Sequence, residues 1–286
     1  RTTESVRKLT DDYEIVRVND GSPDGSLAKA IALAQADAHI AVVDLSRNFG
    51  HHKAIMTGLA HTQGDFVFLI DSDLEEPPEL LGKFWQMLED DKEADVIYGV
   101  QRARKGGLVE RLSGLYYDLF NMLSHVRIEK NISVVRLMTR RYVNSLITHR
   151  EHELVFAGLA VLTGYHQRPC LFDKASKGSS TYDVMRKLDM LANSIASFSN
   201  RPLNFIFYLG LLITASSLLL VLFYLASYFV MGRRVSGWTS LIVSLWVLGG
   251  VIILSLGVIG IYLAKMFNEV KDRPYTVIRS IYRKII

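Results

Sequence analysis

The sequence predicts an α/β domain on a mostly parallel sheet, followed by an amphipathic helix and two membrane-spanning helices. Three observations carry this. Strand and helix patterns alternate from Thr2 to Val100. Phe66–Ile70 is a continuous apolar run, as expected of a strand buried on both faces. Leu203–Gly232 and Val235–Ala264 hold no charged residue, and each exceeds the roughly 20 residues that cross a hydrocarbon core.

Thr2–Asp11 reads as a helix and Glu14–Val18 as a strand ending in the turn Asn19–Pro23. A helix at the very start, with no strand for it to pack behind, implies a missing first strand and an N-terminally truncated domain. Ser26–Ala36 is helical, Ile40–Leu45 a strand, and Lys53–His61 a helix stopped by Gly64-Asp65. After Phe66–Ile70, Pro77-Pro78 opens a helix to about Leu88, and Val96–Val100 is a strand. This is the rhythm of βαβ crossovers in a parallel sheet. Lys105-Gly106-Gly107 reads as a loop and Leu108–Leu123 as a helix. Val134–Met138 and Tyr165–Phe172 read as strands, with Arg141–Ile147 and Glu153–Leu162 as helices. Lys174–Thr181 is a Lys/Gly/Ser loop, and Val184–Ser199 has the spacing of an interfacial amphipathic helix.

The boundaries expected are a catalytic domain over 1–183, a juxtamembrane helix over 184–201, spans over 202–232 and 235–266, and a basic tail over 267–286. Charge supports this division. The net +4 hides an uneven split: 8 of the 33 basic and 2 of the 29 acidic residues follow Pro202, leaving 25 and 27 before it. The basicity thus belongs to the anchor and not to a nucleic-acid surface. Basic residues flank the outer ends of both spans (Arg186, Lys187 and Arg201; Lys265 onward), while the short hairpin holds Arg233 and Arg234. The positive-inside rule then puts the domain and both termini in the cytosol, in a multi-pass protein of the cytoplasmic membrane, with the tail on anionic headgroups. Cys170 is the only cysteine, which excludes a disulfide scaffold.

Ligands of open α/β sheets bind beyond the carboxyl ends of the strands. Asp20, Asp71 and Asp73 sit at such ends. Two carboxylates spaced i, i+2 after a buried strand need a partner, and a hard divalent cation with substrate phosphates supplies one. Asp20, between a strand and a helix, is placed to receive a nucleotide's polar edge. No G-x-G-x-x-G or G-K-[ST] loop is present, against dinucleotide oxidoreductases and P-loop NTPases. Nor is there a C-x-x-C or H-E-x-x-H zinc pattern, and the adjacent His51-His52 reads as structural.

With VNDGSPDGS from Val18 and SRNFGHHKAIMTGLAHTQGDFVFLIDSDLEEPPEL from Ser46, the chain resembles the family-two glycosyltransferases of the GT-A (Rossmann-like) fold. The closer resemblance is to the polyisoprenyl-phosphate glycosyltransferases, which include dolichyl-phosphate mannose synthase and the bacterial undecaprenyl-phosphate sugar transferases. It continues through RLMTRRYV from Arg136, KGSSTY from Lys177 and RKLDMLANSIASFSNRPL from Arg186, so it covers nearly the whole chain.

The resemblance implies inverting transfer of a sugar from a UDP-, GDP- or dTDP-sugar to a polyprenyl phosphate at the cytoplasmic face of the bilayer, by a homo-oligomer supplying cell-envelope glycans. It implies that Asp20 contacts base or ribose, and that Asp71, Asp73 and Glu75 hold Mg²⁺ or Mn²⁺ against the diphosphate. It places Arg102, Arg104 and Arg111 on the acceptor phosphate, and Lys174, Lys177 and Ser179 in a loop closing over the donor. Asn131, Ser133 and Arg136 join Asp73 as catalytic candidates.

One departure stands out. Where many bacterial relatives read Gly-Asp-Phe-Arg-Leu, this chain has Ser133-Val134-Val135-Arg136-Leu137, so Val134 replaces the Asp often discussed as base. A phosphate monoester, with a second pKa near about 6, is already a nucleophile at neutral pH and needs little deprotonation. Two other readings are a processive polysaccharide synthase and a catalytically inactive membrane scaffold. The first expects a Gln-x-x-Arg-Trp motif and more spans, which are lacking; the second draws on Val134.

Overall fold

The computed structural model describes residues 1–102, 122, 131–151, 155–173, 199, 201–231 and 237–284. In chain order these form α1 (Thr2–Arg7), β1 (Ile15–Asn19), α2 (Ser26–Ala36), β2 (Ile40–Leu45), α3 (His51–Ala60), β3 (Phe66–Leu69), α4 (Leu80–Asp90) and β4 (Val96–Gln101). Then come β5 (Ile132–Thr139), α5 (Arg140–Leu146), α6 (Phe156–Leu162), β6 (Gln167–Phe172), α7 (Arg201–Met231), α8 (Trp238–Val270) and β7 (Ile278–Arg283). Most expected elements are present within a few residues of their predicted ends. The expected loops 105–107 and 174–181, helix 108–123, amphipathic helix 184–199 and the Arg233-Arg234 hairpin lie outside the described residues, wholly or nearly so.

Two sheets form, in the orders β1-β2-β7 and β3-β5-β4-β6. β1 pairs with β2, and β4 with β6, in parallel. β2–β7, β3–β5 and β4–β5 are antiparallel. The expectation of a mostly parallel sheet is therefore corrected to mixed sheets. The βαβ rhythm gives the direction of strands that helices return to the same end. It is silent on β5, which inserts between β3 and β4 against both, and on β7, which arrives from beyond the apolar helices.

The second sheet is covered on both faces. Ile97, Val135, Leu137, Cys170 and Phe172 face α4, which contributes Leu80, Leu81, Phe84 and Leu88. The i, i+4, i+8 spacing of Leu80, Phe84 and Leu88 makes one apolar helix stripe. Val67, Val96, Tyr98 and Met138 face Tyr142, Val143 and Leu146 of α5 and Phe156 and Leu159 of α6. Alternate residues of β4 and β5 thus serve opposite layers, as the two-residue strand period requires. Burial of a side chain such as Phe84, with no exposure, contributes about 1.5–3 kcal/mol.

α3 joins the two sheets. Its Ala54 packs with Val43 and Leu45 of β2, while Ile55, Met56 and Leu59 pack with Val67 and Met138. The His51–Ala60 helix thereby fixes the end of β2 relative to β3, and that relation builds the site.

The tail departs from expectation. Instead of a basic segment free to lie on headgroups, residues 278–283 form an edge strand on β2. Ile278 packs beside Val43 and Leu45, and Tyr282 beside Ile40 and Val42, while Arg279 and Arg283 keep substantial exposure. The alternation Ile278-Arg279-Ser280-Ile281-Tyr282-Arg283 suits a half-covered strand, so charge count alone was the wrong guide.

α7 and α8 are long and apolar. At about 1.5 Å per residue each is longer than a ~30 Å hydrocarbon core. Within the described residues, Ser244–Val270 is the one helical segment long and apolar enough to cross a membrane, and Arg201–Ile213 is a shorter apolar one. Phe205, Leu212, Phe223, Trp246, Ile253 and Leu263 are all more than half exposed.

Candidate active site

The loop after β1 is held by its own acid. Asp20 Oδ1 accepts the Phe49 N–H at 2.7 Å, and Oδ2 accepts the Gly50 N–H at 2.9 Å. These amides belong to the turn that starts α3, where unpaired N–H groups and the helix dipole favour an anion. Gly21, at φ +64°, lets this loop lie against the next: a Cβ there would come within 2.5 Å of the Asn48 nitrogen. The sequence expectation gave Asp20 to a nucleotide. The structure gives both of its oxygens a first partner in the chain, while each oxygen keeps a second lone pair.

Asp71 and Asp73 follow β3 as expected, and the α3 helix start comes beside them. His51 Nε2 is 3.6 Å from Asp71 Oδ1. The local sequence does not show this contact, because it depends on how α3 bridges the sheets. Asp73 Oδ1 accepts the Glu75 N–H at 2.9 Å, closing a tight turn in which Leu74 takes φ +62°. Glu75 is half-buried, and next to it Glu76 is fully buried.

Glu76 ties this acidic loop to β5: Ser133 Oγ donates to Glu76 Oε1 at 2.5 Å. Asn131, at φ +62°, accepts the Gln101 N–H through its carbonyl at 3.0 Å. Arg102 follows β4, its backbone N–H on the Phe172 carbonyl at 3.0 Å and its guanidinium 3.8 Å from Asp173. Its side chain is 62% exposed and so open to a ligand. Contacts thus tie Asp20 to the start of α3, His51 to Asp71, Asp73 to the Glu75 amide, and Glu76 to Ser133, while Asn131 and Arg102 flank Gln101, the one by a hydrogen bond and the other in sequence. They lie where β1, β3 and β4 end and β5 begins.

Among the described residues, no three or more His, Cys, Asp or Glu side chains converge as a ready-made metal cage. Mg²⁺ characteristically uses one or two carboxylates and completes its shell with water and substrate phosphates. The half-buried Asp71 with Asp73 and Glu75 on one turn fits that open type of site and not an all-protein cage.

Residues 1–148 match the family described as Glycosyl transferase family 2. The chain belongs to that family. The family match gives its α/β domain a GT-A-like glycosyltransferase fold, here with mixed sheets. A Mycobacterium tuberculosis (strain CDC 1551 / Oshkosh) protein provisionally named a glycosyltransferase is 46% identical over 99% of this chain and 82% of its own. A Shigella flexneri prophage-derived bactoprenol glucosyl transferase is 31% identical over 95% of this chain and 89% of its own. Among solved structures, glucosyl-3-phosphoglycerate synthase of Mycobacterium tuberculosis with UDP aligns at TM-score 0.44 and 19% identity, over 68% of this chain and 72% of that one.

In this glycosyltransferase Arg136 lies in the interior. It is 1% exposed, and its guanidinium donates to the carbonyls of Val134 at 3.1 Å and Ser133 at 3.4 Å while lying 4.5 Å from the Phe156 ring centroid. Burial pulls its pKa down, opposed by the neighbouring hydroxyls of Tyr142 and Tyr98. Arg136, expected among the catalytic candidates, is thus buried and bonded to the backbone of the strand that carries Ser133 and Val134. Arg104, Arg111, Lys174, Lys177 and Ser179 lie outside the described residues.

Sequence reasoning missed Glu76, His51 and Asp44. Glu76 and Asp44 are acids with at most 1% exposure, Asp44 in the middle of the apolar run Ile40–Leu45. An acid inside a buried strand was the available signal, since a buried carboxylate needs partners.

Proposed function

We propose that the protein transfers a sugar, with inversion, from a nucleotide-diphosphate sugar to a polyprenyl phosphate at the cytoplasmic face of a membrane. The family match supports glycosyl transfer, and the bactoprenol glucosyl transferase relatives support the acceptor class. The observation that carries the site is the clustering at the strand ends of the Asp20 loop on the start of α3, the His51–Asp71 contact and the Glu76–Ser133 bond to β5, with Arg102 exposed after β4.

The nucleotide lies on the Asp20 loop and the start of α3. Asp71, Asp73 and Glu75 are the residues that would hold Mg²⁺ or Mn²⁺. When bound, such an ion neutralises charge developing on the leaving diphosphate. Arg102, joined by Arg104 and Arg111, receives the acceptor phosphate; a planar guanidinium suits two phosphate oxygens at once. The acceptor is already largely dianionic, so one of its oxygens attacks the anomeric carbon directly as the bond to the diphosphate oxygen breaks. Val134 in place of an acid is consistent with this: the protein orients and neutralises, and removes no proton. Ser133, fixed by Glu76, and Asn131 line the acceptor side. Lys174, Lys177 and Ser179 close over the donor.

α7 and α8 are the two membrane spans, and the domain and both chain ends are cytosolic. Their exposed apolar side chains match a lipid environment and would form far too large an apolar surface in water. The protein works as a homo-oligomer in the cytoplasmic membrane and serves cell-envelope glycan synthesis.

Val134 also favours a second reading, a catalytically inactive membrane scaffold that recruits other envelope proteins. Titration of the detergent-solubilised protein with UDP-glucose, GDP-mannose and dTDP-glucose, with and without Mg²⁺, tests the donor site. Saturable binding of one of them, strengthened by Mg²⁺, is expected. Absence of binding under both conditions contradicts the enzyme reading.

A further inference from the structure

After α8 the chain returns to the domain and grips both elements that hold the Asp20 loop. Thr276 Oγ1 is 2.8 Å from Thr57 Oγ1 on α3. The Val277 carbonyl accepts the Ser46 N–H at 2.9 Å, and Ile278–Arg283 then pair with β2.

Arg279 makes the closest approach to the loop. Its Nη1 lies 3.4 Å from Asp44 Oδ2, and its Nη2 donates to the Ser46 carbonyl at 2.5 Å. Asp44 has no solvent exposure, and its other oxygen accepts Asn19 Nδ2 at 2.8 Å. Asn19 directly precedes Asp20, and its Oδ1 accepts the Ser22 N–H at 3.4 Å. On the other side, Ser46 leads straight into Arg47-Asn48, the backbone against which Gly21 is packed, and to Phe49 and Gly50, whose amides Asp20 accepts. One guanidinium thus touches the root of each wall of the loop.

We infer that Arg279 is a positioning residue for the donor-binding loop, acting through Asp44 and Ser46, so that the strand following the second apolar helix sets donor affinity. The inference rests on the reading of the Asp20 loop as the nucleotide site. Without Arg279, Asp44 is a buried carboxylate with Asn19 as its remaining side-chain partner among the described residues. A buried charge left so poorly partnered is costly, and the end of β2 shifts to hydrate it. The β2–β7 register is already irregular between Asp44 and Leu45, which makes that end the yielding point. The shift carries Asn19 and Ser46 with it and misaligns the loop. Seven residues, 271–277, separate α8 from β7, so the seating of the helix and the geometry of the donor loop are mechanically linked.

The test uses the full chain in lipid nanodiscs and whichever nucleotide sugar the wild type binds when titrated with Mg²⁺. Donor Kd by calorimetry, donor KM and the ligand-free melting temperature are measured for Arg279→Ala, Arg279→Lys and Arg283→Ala. Arg283 is on the same strand, exposed, and pairs with Ala41 away from the loop. Arg279→Ala should raise donor Kd about fivefold, equivalent to about 1 kcal/mol, with kcat at saturating donor little changed. Arg279→Lys, which keeps the charge but not the two-pronged grip, should fall between. Arg283→Ala should bind donor as the wild type does, even where its melting temperature drops as far as that of Arg279→Ala. Unchanged donor Kd in Arg279→Ala, or an equal rise in Arg283→Ala, overturns the inference and leaves the function standing. A wild type that binds no nucleotide sugar overturns both.

Discussion

Asp73 and Asp20 are both acids at strand ends, yet their surroundings assign them different work. Asp20 spends its first two hydrogen bonds on the amides of Phe49 and Gly50, so it shapes the loop before it touches any ligand. Asp73 engages the Glu75 amide through one oxygen, within a turn at the mouth of the site. Asp73→Asn keeps an acceptor for that amide and removes the charge. It should therefore fold normally while turnover falls by about 10²–10³, the range typical of losing one electrostatic contributor in a preorganised site. Unaltered turnover in that variant, measured with saturating Mg²⁺, would remove the metal from the account. The strand-end acids were legible in the sequence because a buried apolar run followed by Asp-x-Asp is a local pattern. Glu76 and His51 were not, since Glu76 gains its meaning from Ser133 across a loop and His51 from Asp71 across two elements. Arg136 was legible as a motif residue but not as a buried one, because motif position carries no information about depth.

The elements up to β4 were readable in order and type from periodicity and turn residues. Direction was readable only where a crossover helix imposes it. β5 and β7 run against their neighbours, and nothing in their local sequence says so. The clasp between α4 and β6 is likewise a tertiary feature. Asp91, just past α4, accepts Arg168 Nη1 at 3.0 Å and has His166 Nδ1 at 3.9 Å. Burial pushes the Asp91 carboxyl up, but Arg168, the Glu93 N–H and His166 together more than reverse this and hold it below the ordinary carboxylate range. A carboxyl with a depressed folded pKa stabilises the fold above its unfolded pKa, about 3.9, and that contribution is lost as pH falls through the folded value. Asp91→Asn should therefore melt below the wild type at pH 7, and the gap should close as pH drops below about 4. A gap that persists undiminished at acid pH would show that the carboxylate charge is not what clasps α4 to β6.

At the scale of the molecule, charge and hydropathy separate a near-neutral α/β domain from an apolar helix pair, and that separation was visible in composition alone. The return of the chain to the first sheet was not visible there, because basic residues at a chain end suggest headgroups before they suggest a strand. With β7 in place, the apolar helices are bracketed by the domain on both sides in sequence, and the Asp20 loop is anchored to the strand beyond them. The proposed lipid acceptor fits such a body: exposed apolar helices of this kind would hold the molecule at a bilayer, and Arg102 lies exposed at the same end of the sheet as the carboxylates. The central claim is transfer to that lipid. Its most direct test incubates the full-length protein in membranes with undecaprenyl phosphate, Mg²⁺ and each common radiolabelled nucleotide sugar in turn, and tracks label into the organic phase. One donor should give an extractable, acid-labile product that disappears when the lipid or the metal is withheld. No organic-phase label from any donor would contradict the account.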